Sequence, residues 1–200
     1  MDPLTIGSAR YELLGQVKFG SGAIVCSDPC YSNEGEGYLV ARLQWPVWDA
    51  WILRQDCGQW GWRNARLILV RPGLQPNHDE IGNELTDGIG VDSGQAGFFD
   101  QTAFTERDER YLEAPFYPFD KIQTHDNREK WYRMCADRTL GDKSAGVVPE
   151  GVVASAGLGD GCYSLHELTA GKAGNPSYGA DQIIQFTLLF LGENEMESPW

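Results

Sequence analysis

The sequence predicts a mainly β (α+β) chain: an antiparallel sheet or sandwich, or a partly open barrel, with one or two helices packed on it. Three observations predict this. Short apolar runs recur at a spacing of about ten residues, which is the rhythm of antiparallel strands. Glycine (24) and proline (10) punctuate those runs and favour turns over long helices. The hydrophobic share is 42%, with seven Trp, enough for a packed core and more than a disordered chain carries. Two hundred residues without an internal repeat read as a single domain over 1–200.

Taken in order, Tyr11–Leu14, Val17–Phe19 and Ala23–Cys26 read as strands separated by Gly15 and by Gly20-Ser21-Gly22. Tyr38–Leu43, Val47–Arg54 and Ala65–Val70 follow, again bounded by Gly, Pro and Asn. Arg71-Pro72-Gly73 and the polar stretch Gln75–Gly90 read as a loop. One helix is marked by Asp126 and Glu129 at capping-box spacing, by Trp131, Tyr132 and Cys135 on one partly apolar face, and by Gly141 at its end. A shorter helix over Glu106–Leu112, capped by Thr105, would stop before Pro115. Val152–Ser155, Cys162–Leu168 and Gln182–Leu191 return to strand, the last apolar on both faces and so expected in the middle of a sheet.

Acids outnumber bases 29 to 16, a formal charge of −13. Direct binding to nucleic-acid phosphates or to an anionic membrane surface would need a concentrated basic face, so neither is expected. The N-terminal residues show no basic and apolar segments of a signal peptide, and the longest apolar stretch, Ile183–Leu191, is interrupted by Gln185 and Thr187. The five cysteines, Cys26, Cys30, Cys57, Cys135 and Cys162, are odd in number and irregular in spacing, a poor disulfide framework. A cytoplasmic protein with reduced thiols follows as the expectation. Cys26 and Cys30 lack a second pair at zinc-ligand spacing, and His78, His125 and His166 are scattered, so the thiols read as small hydrophobes.

Three segments carry the remaining chemistry. In Cys26-Ser27-Asp28-Pro29-Cys30-Tyr31, Asp-Pro favours a turn that would present Asp28 and Cys30 at a sheet edge. Nearby Asp28, Glu34 and Glu36 disfavour a thiolate at Cys30, so a structural turn is the better reading. Gly90–Asp100 contains Asp92, Ser93, Gln95 and Asp100 among small residues, and reads as a strand, a tight bend and then Asp100 capping a helical turn from Gln101. It contains neither an EF-hand loop nor a phosphate loop. In Ser155–Tyr163, Asp160-Gly161 between apolar runs is a hairpin signal and would bring Asp160 and Tyr163 to a glycine-lined turn. A fourth feature is aromatic: Trp45, Trp48, Trp51, Trp60 and Trp62 lie close together, and alternation puts Trp48 and Trp51 on opposite faces and Trp60 with Trp62 on one. Part of that cluster must be core.

The Asp28-Pro29-Cys30-Tyr31, Val91–Asp100 and Gly159–Tyr163 segments resemble, in this order, the "DPCY", "VDSGQAGFFD" and "GDG-Y" motifs of an uncharacterised family of bacterial and bacteriophage proteins. The resemblance spans roughly residues 23–190 and implies that Asp28, Asp92, Gln95, Asp100 and Asp160 are the distinctive polar positions. It implies a phage or mobile-element setting and carries over no catalytic residue.

Serine-hydrolase chemistry lacks a G-x-S-x-G elbow, metal hydrolysis lacks H-E-x-x-H, and His166 is a proton carrier without an obvious nucleophile. The expectation is a non-enzymatic binding module for a protein partner or a small molecule, for example in defence or counter-defence, with no cofactor. Its ligand-binding candidates are Asp28, Cys30, Tyr31, Asp92, Ser93, Gln95, Asp100, Asp160 and Tyr163, provided that the glycine-rich turns converge. The alternative is a hydrolase using Asp28, Asp92, Asp100 and Asp160 around a divalent cation, or Cys30 as nucleophile.

Overall fold

The computed structural model describes residues 4–6, 9–32, 37–40, 43–105 and 127–192, with backbone alone for 4–6 and 127–130. Its strands form two open antiparallel sheets. The larger runs, from edge to edge, β1 (Leu4–Ile6), β2 (Ala9–Lys18), β5 (Val47–Asp56), β6 (Trp62–Val70), β12 (Ile183–Leu189), β11 (Gly161–Thr169) and β7 (Asn83–Val91). The smaller runs β4 (Tyr38–Val40), β3 (Ile24–Ser27), β8 (Gln95–Asp100), β10 (Gly151–Ser155) and β9 (Ala145–Val148). Neither sheet closes on itself, so of the predicted architectures the sandwich is the one found.

Alternation along each strand builds the core between the sheets. Val17, Trp48, Ile52, Leu67, Leu69, Phe186 and Leu188 from the large sheet meet Ile24, Cys26, Phe98, Val152 and Ala154 from the small one. Apolar intervening residues of β5 and β6 are buried too. Trp51, Leu53, Ile68 and Val70 form a second cluster with Tyr11. Burial on both faces is why β6 reads as a nearly unbroken apolar run. The same holds for β12, which lies between β6 and β11 as its sequence predicts.

Helix α1 (Gln101–Thr105) and helix α2 (Asn127–Thr139) belong to the small sheet's other face. Trp131, Met134 and Cys135 fall at i, i+3 and i+4 and pack on Val25, Phe99 and Val153, with Phe104 of α1 between them. The Trp131 ring meets Phe99 edge-on at 5.0 Å. The capping pair at Asp126 and Glu129 and the helix expected over Glu106–Leu112 lie outside the described residues, Glu129 being described by backbone alone.

Two expectations are corrected. The stretch read as a loop over Gln75–Gly90 holds all but the last residue of β7, whose Asn, Asp and Gly content hides a strand that only pairing with β11 supports. The Asp160-Gly161 turn is not a hairpin: β10 pairs with β8 and β9, whereas β11 pairs with β12 and β7. The turn therefore carries the chain from one sheet to the other, and the positive φ falls at Gly157 and Gly159, ahead of the predicted pair.

The tryptophans divide as alternation requires where they lie in a strand, Trp48 facing the inter-sheet core and Trp51 the opposite cluster. Trp60 sits in a 3₁₀ turn (Gly58–Trp60), 52% exposed, so strand alternation does not govern it. The Arg10 guanidinium covers Trp62 at 4.3 Å. All five cysteines are free thiols, and Cys26 and Cys135 are fully buried in apolar clusters, where loss of hydration pushes both thiols far above their usual pKa. Cys30 and Cys57 are half-buried and Cys162 is exposed. Among the described residues no helix is long and apolar enough to cross a membrane.

Candidate functional site: the convergent turns

The turn after β3 is the 3₁₀ turn Pro29–Tyr31, and Asp28 is its N-cap, accepting the Cys30 N–H at 2.7 Å. Proline at the first turn position needs no donor, so Asp-Pro fits this geometry. Asp28 is fully buried rather than presented at an edge. Its second oxygen accepts the backbone N–H groups of Asp92 (2.9 Å) and Ser93 (2.7 Å), and its first also accepts the Ser93 hydroxyl at 2.6 Å. Four donors on one buried carboxylate tie the β3 turn to the turn between β7 and β8, across the two sheets.

The network continues outward and inward from that carboxylate. The Tyr31 hydroxyl donates to the Asp92 carboxylate at the surface, which holds the phenol well above its ordinary pKa. Gln95, buried, donates to the Ser93 hydroxyl at 3.5 Å and to the Tyr132 hydroxyl at 3.2 Å, and accepts the Thr139 hydroxyl at 3.0 Å. Tyr132 and Thr139 of α2 thus belong to the site's foundation. Sequence reading placed Tyr132 on the helix's apolar face and passed over Thr139, and the only signal was a polar atom in a ring otherwise read as core.

The third turn joins the other two. The Ala156 N–H donates to the Gly94 carbonyl at 2.8 Å, and an Asp160 carboxylate oxygen lies 3.9 Å from where a Cβ on Gly94 would stand. Gly94 has φ +67°, the left-handed conformation that the bend needs and that glycine adopts without strain. Asp160 is exposed, as is Leu158 (52%). The Tyr163 hydroxyl donates to the Gly159 carbonyl at 2.6 Å and its ring stands edge-on to Phe190, so it closes this turn.

Asp28, Cys30, Tyr31, Asp92, Ser93, Gln95, Asp160 and Tyr163 therefore gather at one end of the sandwich, and Asp100 does not. It lies at the other end of β8, roughly 16 Å along the strand at the usual rise per residue. There it caps α1 through the Thr102 and Ala103 N–H groups and accepts the Ser21 N–H at 2.8 Å. The capping role is the one its sequence predicts. Among the described residues, no three or more His, Cys, Asp or Glu side chains group closely enough to hold a metal ion. The four carboxylates of the hydrolase alternative are split by the position of Asp100, and the Asp28 carboxylate is already occupied by donors.

β4 and β7 are the end strands of their sheets, and both contribute to the space beside Tyr31. A cleft of about 260 Å³ lies there, lined by Ser27, Tyr31, Tyr38, Thr86 and Ile89 and by the backbone of Gly88 and Gly90. A second cleft, about 250 Å³, lies between β2 and β9 against Gln16, Lys18, Val147 and Glu150 and takes in none of the motif residues.

His166 sits apart from both. Its Nε2 is 2.9 Å from the Ser164 hydroxyl, Glu84 faces it across the strand pair, and Arg66 and Lys172 act on it electrostatically. Burial, the largest influence, lowers its pKa below the ordinary 6.5, and the two cations lower it further against Glu84. The unfolded chain thus takes up the proton first, so stability should be full above about pH 6.5 and fall as the pH drops below it. Urea midpoints of wild type and His166→Gln between pH 7.5 and 5 check this. The wild type should lose more stability over that range, and parallel curves would contradict it.

No family model, curated protein or solved structure matches the chain.

Proposed function

We propose that the protein is a non-enzymatic binding module, possessing its recognition surface where the three turns meet. One observation carries this reading: a fully buried carboxylate, Asp28, is used up in knitting together turns 64 residues apart in sequence, while Asp92, Leu158 and Asp160 are left facing outward. A rigid frame beneath exposed side chains is what preorganised recognition requires. The joined turns expose two carboxylates, Asp92 and Asp160, and an apolar residue, Leu158, which suits a partner surface presenting basic groups beside an apolar anchor. The phage or mobile-element setting implied by the motif resemblance belongs to the same proposal.

The test is quantitative capture of partners by the wild-type chain and by the double variant Asp92→Asn/Asp160→Asn, with Asp49→Asn/Asp181→Asn as a charge-matched control. Both substituted positions of the test variant are exposed, so its stability should stay within about 1 kcal/mol of wild type. A partner lost by the first double variant and kept by the control is the expected result. Equal capture by both would remove this surface from consideration.

A further inference from the structure

We propose that the cleft between β4 and β7 is a site for one neutral, hydroxylated ring, a ligand of monosaccharide size. This deepens the binding-module reading, sharing Tyr31 and Asp92 with it. At about 260 Å³ the cleft is smaller than the usual range for drug-sized ligands and suits a single ring. Among the described residues its lining is uncharged: four hydroxyl-bearing side chains, Ser27, Tyr31, Tyr38 and Thr86, line it with the apolar Ile89. No lysine, arginine or histidine is among the described lining residues, so a phosphorylated or carboxylated ligand would lose hydration there without gaining a counter-charge from them.

Three features match a polyol in particular. The aromatic rings of Tyr31 and Tyr38 offer apolar faces for the C–H side of a sugar ring. The Tyr31 hydroxyl is held by the Asp92 carboxylate, which fixes that ring in the cleft wall. On the edge strand β7, Gly88 and Gly90 line the cleft with backbone alone, so ligand hydroxyls can reach that backbone. An extended peptide adding to the same edge is disfavoured by the edge itself. The β7–β11 pairing shifts register between Tyr163 and Leu165 and again between Leu165 and His166, so β7 is bulged and does not offer a straight ladder.

The experiment is saturation-transfer NMR of the full chain with a panel of free pentoses, hexoses and N-acetylhexosamines and the 6-phosphates of the same hexoses. At least one neutral sugar should receive saturation, with its phosphate ester bound about tenfold more weakly. Tyr38→Ala and Thr86→Ala, which each remove a lining side chain, should each weaken that binding about tenfold. Tyr31→Phe keeps the ring, frees Asp92 and should weaken it less, which provides a test should either of the others fail to fold. Asp160→Asn lies on the neighbouring turn and should leave sugar binding unchanged while lowering partner capture, so the two readings can fail separately. Absence of transfer from every neutral sugar, phosphate esters binding as well as their parents, or folded cleft variants that bind like wild type would each overturn the proposal.

Discussion

Replacing Asp28 by alanine is expected to lower the unfolding free energy by about 3–5 kcal/mol, the range for removing one partner from a buried charged network. Four donors lose their acceptor at once: the N–H groups of Cys30, Asp92 and Ser93, and the Ser93 hydroxyl. A buried donor without a partner costs about 1–3 kcal/mol, but the serine hydroxyl can turn and water can enter the vacated space, so the total falls short of the sum. Asp28→Asn preserves the volume and turns an amide NH₂ toward one of the donors, so it should lose most of the same stability. Urea unfolding of both variants measures this. A loss below about 1 kcal/mol for Asp28→Ala would show that the carboxylate is not what joins the turns.

The second large effect is expected at Gly97, in the middle of β8. A Cβ there would stand 2.2 Å from the Val152 carbonyl oxygen on β10 and 2.6 Å from the Phe99 ring. The carbonyl is main chain and cannot swing aside, and Gly97 is also opposite Ser27 on β3, so relief must distort pairing on both sides of the strand. Gly97→Ala should therefore cost about 3 kcal/mol, the upper end for overpacking a core. Gly90→Ala serves as the control, because its Cβ would meet nothing within 4 Å, and it should change stability by less than about 1 kcal/mol. Similar thermal shifts for the two variants would refute the steric account.

These two residues also show how far the motifs could be read. The Asp28-Pro29 turn and the capping role of Asp100 were legible because both are local, with partners only two or three residues away. That Asp28 would be buried, and that its other oxygen would hold the turn at Asp92 and Ser93, was not legible, because those contacts span 64 and 65 residues. Gly97, one of the small residues of that segment, lets the β8 backbone pass close to β10. Strand β7 was missed because Asn, Asp and Gly carry no strand preference of their own, and its pairing partners lie 70 residues or more later.

The sequence by itself determined the mainly β class, most of the strands, the central place of β12 and the division of Trp48 from Trp51, because each follows from the two-residue period of a strand and from glycine and proline between strands. Only the tertiary structure decided that the chain changes sheets at Asp160-Gly161, that three separate turns meet at one end, and that Asp100 lies apart from them. The reason is physical. Periodicity reports which face of a strand is buried, whereas the choice of neighbour is made by packing and by buried hydrogen bonds between residues far apart in the chain, and local sequence does not encode those distances.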